Sequence, residues 1–314
     1  MRTMSADANG ASLSVIICCF TLDRWHDLVQ AVHEVARQAD DMAQILVCVD
    51  HNDDLFAKAS AALPRATVVR NTHQQGLSGA RNSAVEQASG DVIVFLDDDA
   101  APTDGWLDAL LRAFTAADDV VAVGGAATPA WPTHRPGWFP SEFDWVVGCS
   151  YLGLPDERAP VRNVMGCNMA FRREVFDAGM RFSPTVGRNG NDSGGCEETA
   201  LCIQVRRHWH GAEILHEPTA VVRHRVPPSR CSWSYFARRC YAEGRSKARV
   251  SDLVGREDAL RTERAYTRRT LPAGVRRGVL DGVSGDRWGL GRSAAIVAGL
   301  GITTAGYIRG RYVG

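Results

Sequence analysis

Gly76-Leu-Ser-Gly-Ala-Arg-Asn82, followed after a short helical link by Gly90-Asp-Val-Ile-Val-Phe-Leu-Asp-Asp-Asp-Ala100, is the stretch on which the fold turns. Val92 to Leu96 is apolar at every position, as a strand covered on both faces of a sheet must be. Such a strand delivers Asp97, Asp98 and Asp99 to the sheet's carboxyl edge, where open α/β sheets take their ligands. Three adjacent carboxylates repel one another unless a cation or solvent neutralises them. The Asp97-x-Asp99 pair suits a hard divalent ion carrying phosphate oxygens. The same residues also fit a plain strand-to-helix turn, with Asp or Thr capping and Pro102 setting the first turn, so the flanking sequence has to decide.

Outward from this stretch, strands and helices alternate. Leu13 to Phe20, Ile45 to Asp50 and Thr67 to Asn71 read as strands, while Asp23 to Ala39 places Leu28, Val32 and Val35 at helical spacing and Ser78 to Ser89 makes a second helix. That alternation predicts a doubly wound α/β fold with a mostly parallel sheet and helices on both faces. Trp106 to Ala117 should be a helix and Val120 to Gly124 a strand. The Trp/Pro-rich run from Pro129 to Leu154 reads as a surface loop. Arg162 to Arg172 regains strand character, Gly187 to Gly195 reads as a Gly/Asn-rich loop, Glu197 to His210 as a helix and Glu213 to Arg225 as extended chain.

The 314 residues carry 36 Lys and Arg against 36 Asp and Glu, so no global field argues for nucleic acid. The balance is uneven, with fifteen Lys and Arg against five acids between Arg223 and Arg277. We therefore expect a catalytic domain over 12–225, made of halves 12–125 and 126–225, and a basic helical extension over 226–314 interrupted at Gly244, Gly255 and Pro272. Residues 1–11 are small and polar, and read as a disordered terminus and not as a signal peptide. The nine Cys, with no Cys-x-x-Cys pair, read as reduced buried thiols in a cytoplasmic protein. Ala294 to Ile308, with Arg292 and Arg309 on either side, is too short and Gly-rich for a spanning helix. It fits a helix lying at a membrane surface or one packed on the catalytic domain.

Taken in order, several segments resemble the family 2 glycosyltransferases of the GT-A fold, over roughly residues 12 to 225. The carriers are the first strand, the strand ending at Asp50, Gly76 to Asn82, the Asp97-Asp98-Asp99 strand end, Gly166-Cys-Asn168 before Phe171-Arg-Arg173, and Cys196-Glu-Glu-Thr-Ala-Leu-Cys202. The resemblance implies an inverting transfer from a nucleotide diphosphate sugar, UDP-linked foremost, to an acceptor hydroxyl. Divalent Mg2+ or Mn2+ would assist.

The resemblance also assigns residues. Asp50 would accept from a nucleobase imide, Arg81 would bracket a base or diphosphate, and Asp97 and Asp98 would stand on the nucleotide sugar. Asp99, with Asp97, would bind the ion, and His224 matches a position that completes the metal site in some relatives. Asn168 would line the donor-sugar or acceptor pocket. The acids opening a helix, Glu197 and Glu198, would supply the general base; the second is the expected one, but a Glu-Glu pair in place of the commoner Glu-Asp leaves both open. Arg245 would meet phosphates of the donor or of a lipid-linked acceptor. The family's next acid is replaced by Ala200 and its usual Arg by Gln204, which bears on acceptor contacts.

Other classes fit less well. A nucleotidyltransferase would carry a Gly-rich loop after the first strand, where Cys19-Phe-Thr-Leu-Asp-Arg24 stands, and phosphate-loop and Rossmann signatures are missing. The Gln-x-x-Arg-Trp motif of processive synthases is absent too, which favours a single transfer. A sugar-nucleotide-binding subunit without turnover would not need Glu198. The expected partners are a nucleotide-sugar donor and a sugar, lipid-linked or small-molecule acceptor, with contact to the inner face of a membrane through the C-terminal region.

Overall fold

The computed structural model describes residues 12–39, 43–185, 195–254 and 265–312. The 1–11 terminus and nearly all of the 187–195 loop lie outside them, as does Gly255. Contacts divide the chain into two units. One comprises residues up to 127 with 155–190 and 197–223; the other comprises 128–154, 191–196 and 224–314.

In the first unit, strands β1 (Leu13–Cys19), β2 (Ala43–Val49), β3 (Thr67–Arg70) and β4 (Val92–Asp97) form the parallel part of a nine-stranded sheet. The order there is β3-β2-β1-β4, so the chain leaves β1 in one direction and returns on its other side. The junction of β1 and β4 is a topological switch point, which opens a crevice at the strands' carboxyl ends. Beyond β4 lies β8 (Asn168–Arg172), which runs antiparallel and sets Asn168 opposite Leu96. Next come β6 (Val120–Ala130), β9 (Glu213–Arg225) and β5 (Ala100–Pro102), with the short β7 (Ala159–Pro160) on β9. Of the Arg162 to Arg172 run only the last five residues are strand, because Gly166 and Cys167 turn the chain before Asn168.

Alternate residues of the central strands enter two cores. Val15, Ile17, Val47, Val94 and Leu96 pack with Leu28, Val32 and Val35 of helix α1 (Trp25–Ala39) and with Trp106 and Leu110 of α4 (Trp106–Phe114). Ile16, Leu46, Ile93 and Phe95 pack on the opposite face with Ala80 and Ala84 of α3 (Leu77–Gln87) and with Leu201 and Val205 of α6 (Glu197–His208). This is the helix–sheet–helix layering expected of apolar parallel strands. Two further described helices, α2 (Asp53–Ala62) and α5 (Glu174–Asp177), belong to this unit.

The second unit corrects two expectations. The Pro129 to Leu154 run is not a surface loop: Phe139, Phe143, Val146 and Val147 are buried in a core with Phe236, Leu271 and Ile296. Phe139 and Phe143 lie 5.5 and 5.2 Å from Phe236, centroid to centroid. Nor does Gly244 interrupt a helix. It sits inside α7 (Trp233–Val254), where a Cβ would come within 2.0 Å of the Thr303 carbonyl oxygen. It allows close approach of α9 (Gly289–Tyr312), and Gly306 does the same against Tyr241. Pro272 stands in the first turn of α8 (Leu271–Val283), directly after a π-helical turn at Tyr266–Thr270, so the chain stays helical through it. No described helix is long and apolar enough to cross a membrane. All nine cysteines are free thiols, and all but Cys18 and Cys231 are buried; burial pushes Cys202 up to about 12, as for an inert thiol.

Candidate active site

The centre of the site is a buried guanidinium. Arg81 projects from α3 with its side chain only 3% exposed. Its Nη1 donates to Glu197 Oε1 at 2.8 Å, while Nη2 donates to the Gly166 carbonyl at 2.8 Å and to Asp97 Oδ1 at 3.3 Å. The ring of Phe182 lies 5.3 Å from the guanidinium carbon. Burial works against the charge of Arg81, but Glu197 and Asp97 more than offset it, and its pKa is raised. One residue of the Gly76 to Asn82 motif thus ties together α3, the end of β4, the turn before β8 and the first turn of α6.

That motif is itself held by Asp50, at the end of β2. Asp50 Oδ1 accepts from Asn71 Nδ2 at 2.6 Å and Oδ2 from the Gly76 N–H at 2.9 Å, one of the donors that a helix start leaves without a partner. Asn71 Oδ1 in turn accepts from Ser83 Oγ at 2.9 Å. Gly79 is obligatory, since a Cβ there would stand 1.9 Å from the Gln74 carbonyl oxygen. At the far side, Cys196 takes a left-handed φ of 78° immediately before Glu197, the kind of backbone cost that concentrates at working sites.

The two helix-opening acids differ. Glu197 is 4% exposed and held by Arg81, and its Oε2 is buried with no hydrogen-bond partner among the described residues. Glu198 is half-buried and accepts from Thr199 Oγ1 at 3.1 Å. Its Oε2 would lie 3.7 Å from a Cβ placed on Gly166.

At the end of β4 the three carboxylates also part. Asp98 turns into the protein, 3% exposed, and accepts from Arg24 Nη1 at 2.7 Å. Arg24 lies 3.2 Å from Asp99 as well. Burial pushes the Asp98 carboxyl up to about 7, with Arg24 opposing and Asp99 adding to the rise. Asp97, Asp99 and His224, the last near the end of β9, each offer one ligand atom, and these all lie within 4.8 Å of one another. Two carboxylates and an imidazole in that space fit Mn2+ or Mg2+.

The sequence pattern of Glycosyl transferase family 2 matches residues 14–179, more than half of the chain. The chain belongs to this family. Among similar proteins is the glucosyl-dolichyl phosphate glucuronosyltransferase of Haloferax volcanii, 29% identical over 245 residues, which are 77% of this chain and 78% of that one. Two solved structures share the fold. The mannosyltransferase PcManGT from Pyrobaculum calidifontis, in complex with GDP-Man and Mn2+, has a TM-score of 0.57 at 16% identity, over 96% of this chain and 87% of its own. GalNAc-T7 with UDP, GalNAc and Mn2+ has a TM-score of 0.51 at 18% identity, over 70% of this chain and 44% of its own. This family 2 chain is therefore a GT-A-type enzyme, a glycosyltransferase drawing on a nucleotide-sugar donor.

Within the transferase, the residues singled out from sequence separate by position. Asp50, Arg81, Asp97 and Glu197 join one network in the first unit, while Arg245 lies on α7 in the second unit, where Gly310 approaches its backbone. Asn168 is not a pocket wall. It is fully buried, donating from Nδ2 to the carbonyls of Ala126 and Ala220, each at 2.9 Å, and accepting from Trp106 Nε1 at 2.8 Å. Asn168→Ala is expected to destabilise the fold by about 2–3 kcal/mol, since two buried polar groups and one part-buried carbonyl lose their partner. A urea melt within about 0.5 kcal/mol of wild type would overturn that role.

Sequence reasoning missed Arg24, Asn71 and the Gly166 carbonyl. Arg24 could have been found, because it follows β1, the strand beside β4, and is a cation close in sequence to a carboxylate-bearing edge. A backbone carbonyl carries no signal in a sequence.

Proposed function

We propose that this glycosyltransferase moves one sugar per binding event, with inversion, from a UDP-linked donor to a hydroxyl of a lipid-linked acceptor at the inner face of a membrane, with Glu198 as the base. The observation that carries the reading is the 2.8 Å ion pair between Arg81 and Glu197. It divides two adjacent acids into a buried partner of a fixed cation and a half-buried carboxylate. A general base must reach the hydroxyl it deprotonates. Glu198, the more exposed of the two, meets that condition better than Glu197.

Asp97, Asp99 and His224 are the residues that would hold Mg2+ or Mn2+. The ion, when bound, neutralises charge on a diphosphate and so favours its departure. The chain's own part is positional. Asp50 fixes the turn into α3 and keeps lone pairs for a nucleobase imide, while Arg81 holds the Asp97 carboxylate and the start of α6 on one frame. Arg245 we assign to a phosphate of donor or acceptor. The lipid-linked acceptor is supported by the Haloferax relative, whose name places it on glucosyl-dolichyl phosphate. UDP is supported by the nucleotide in the GalNAc-T7 structure, whereas the Pyrobaculum structure holds GDP-Man.

Calorimetric titration of UDP, GDP and TDP, with and without Mn2+, tests the donor site. One nucleotide is expected to bind in a metal-dependent manner, and Asp99→Ala to weaken it at least about tenfold. Folded protein that binds none of the three sinks the donor assignment.

A further inference from the structure

The second unit presents an uncharged helix face to solvent. In α9, Ser293 to Ile308 is sixteen residues without a charge. One side of the helix is buried, through Gly289, Ser293, Ile296, Gly299 and Gly306, and packs on α7 and α8. The other side carries Leu290, Ala294, Val297, Gly301, Ala305, Ile308 and Tyr312, all exposed, at spacings of three and four residues. Val297 is 61% exposed, Leu290 60%, Ile308 52% and Tyr312 84%. Val279 and Val283 of α8, four residues apart, are exposed too, at 40% and 82%. Gly282 lies against Leu290, so this apolar surface continues around the hairpin tip. An apolar strip along a whole helix is more than the scattered exposed side chains a water-facing surface carries.

Charge decides what the strip meets. From Ala265 to Tyr312 the chain has eight Arg and two acids. Both acids, Asp281 and Asp286, are already paired with Arg292. Arg268, Arg269, Arg276, Arg287 and Arg309 are exposed. The strip thus has cations at both ends and an aromatic at each end, Trp288 and Tyr312. No described helix is long and apolar enough to span a bilayer. An apolar face with Arg and interfacial aromatics at its ends is the pattern of a helix that lies in the plane of an anionic membrane surface.

We propose that the exposed face of α9, with the α8–α9 hairpin tip, docks this enzyme on an anionic lipid bilayer, α9 lying parallel to the surface. The inference rests on the second unit alone and needs neither the donor nor the base assignment above. It also removes the choice between packing and membrane contact, because opposite sides of one helix do both.

The test is sedimentation of the full chain with phosphatidylcholine vesicles, with and without phosphatidylglycerol. At low salt the wild type is expected to bind the anionic vesicles at least about tenfold more tightly than the neutral ones, and to weaken as salt is raised. Val297→Glu with Ile308→Glu should lose anionic-vesicle binding at least about tenfold, with the thermal melt and nucleotide titration unchanged because both side chains point to solvent. No binding by the wild type at low salt, or equal binding by the variant, overturns the proposal. So does a wild type that is dimeric by light scattering and made monomeric by the substitutions with vesicle binding intact, since the strip then covers a second copy of the chain.

Discussion

Glu198→Gln is expected to lose turnover by about a thousandfold while keeping metal-dependent nucleotide affinity within about twofold of wild type. The substitution keeps the size of the side chain and its place on α6, and removes only the capacity to take a proton. Glu198 is half-buried and Arg81 donates to Glu197 instead, so the Arg81 frame should keep its shape. Glu197→Gln is the necessary comparison and should behave differently. It leaves Arg81 buried with one full counter-charge fewer, so its first effect is on stability, by about 3–5 kcal/mol, with turnover falling as the start of α6 loosens. Urea melts separate the two cases. A Glu198→Gln enzyme that turns over like wild type, beside a Glu197→Gln enzyme that folds normally and is dead, would reverse the assignment.

The parallel strands were legible because burial on both faces leaves an uninterrupted apolar run. Leu13 to Phe20 and Val92 to Leu96 lie within a residue of the observed β1 and β4. The whole of β9, Glu213–Arg225, was readable from its extended character. Less legible were contacts that depend on three-dimensional neighbours. Phe143, Val146 and Val147 enter a core from a 3-10 turn at Ser141–Val147, and such a turn imposes neither the helical nor the strand period by which burial is read. Gly244 resembles a helix breaker until a second helix is found pressed against it. At the site, the residue types were legible and their division of labour was not. Arg81 in the first turns of a helix resembles a solvent-facing cation, and only the Asp97, Gly166 and Glu197 oxygens around it show that it is buried. Likewise Asp98, one of three identical neighbours, turns inward to Arg24 while the carboxylates on either side of it join the group around His224.

The Arg81 network leads to the second large effect. Arg81→Met, close in length and without charge, should cost about 3–5 kcal/mol of stability, because a fully buried carboxylate at Glu197 and a partly buried one at Asp97 are left uncompensated. Arg81→Lys should recover little, since a single ammonium cannot reproduce two guanidinium nitrogens serving Glu197 and Gly166 at once. Arg81→Met combined with Glu197→Gln should be less destabilised than the sum of the two single changes, by about 1–3 kcal/mol, as expected of residues that neutralise each other. This cycle also tests the role of Arg81 as a clamp on base or diphosphate. If Arg81→Met melts like wild type yet loses nucleotide binding, the guanidinium serves the ligand directly; loss of stability with coupling to Glu197 makes it the strut that holds Glu197 at the start of α6.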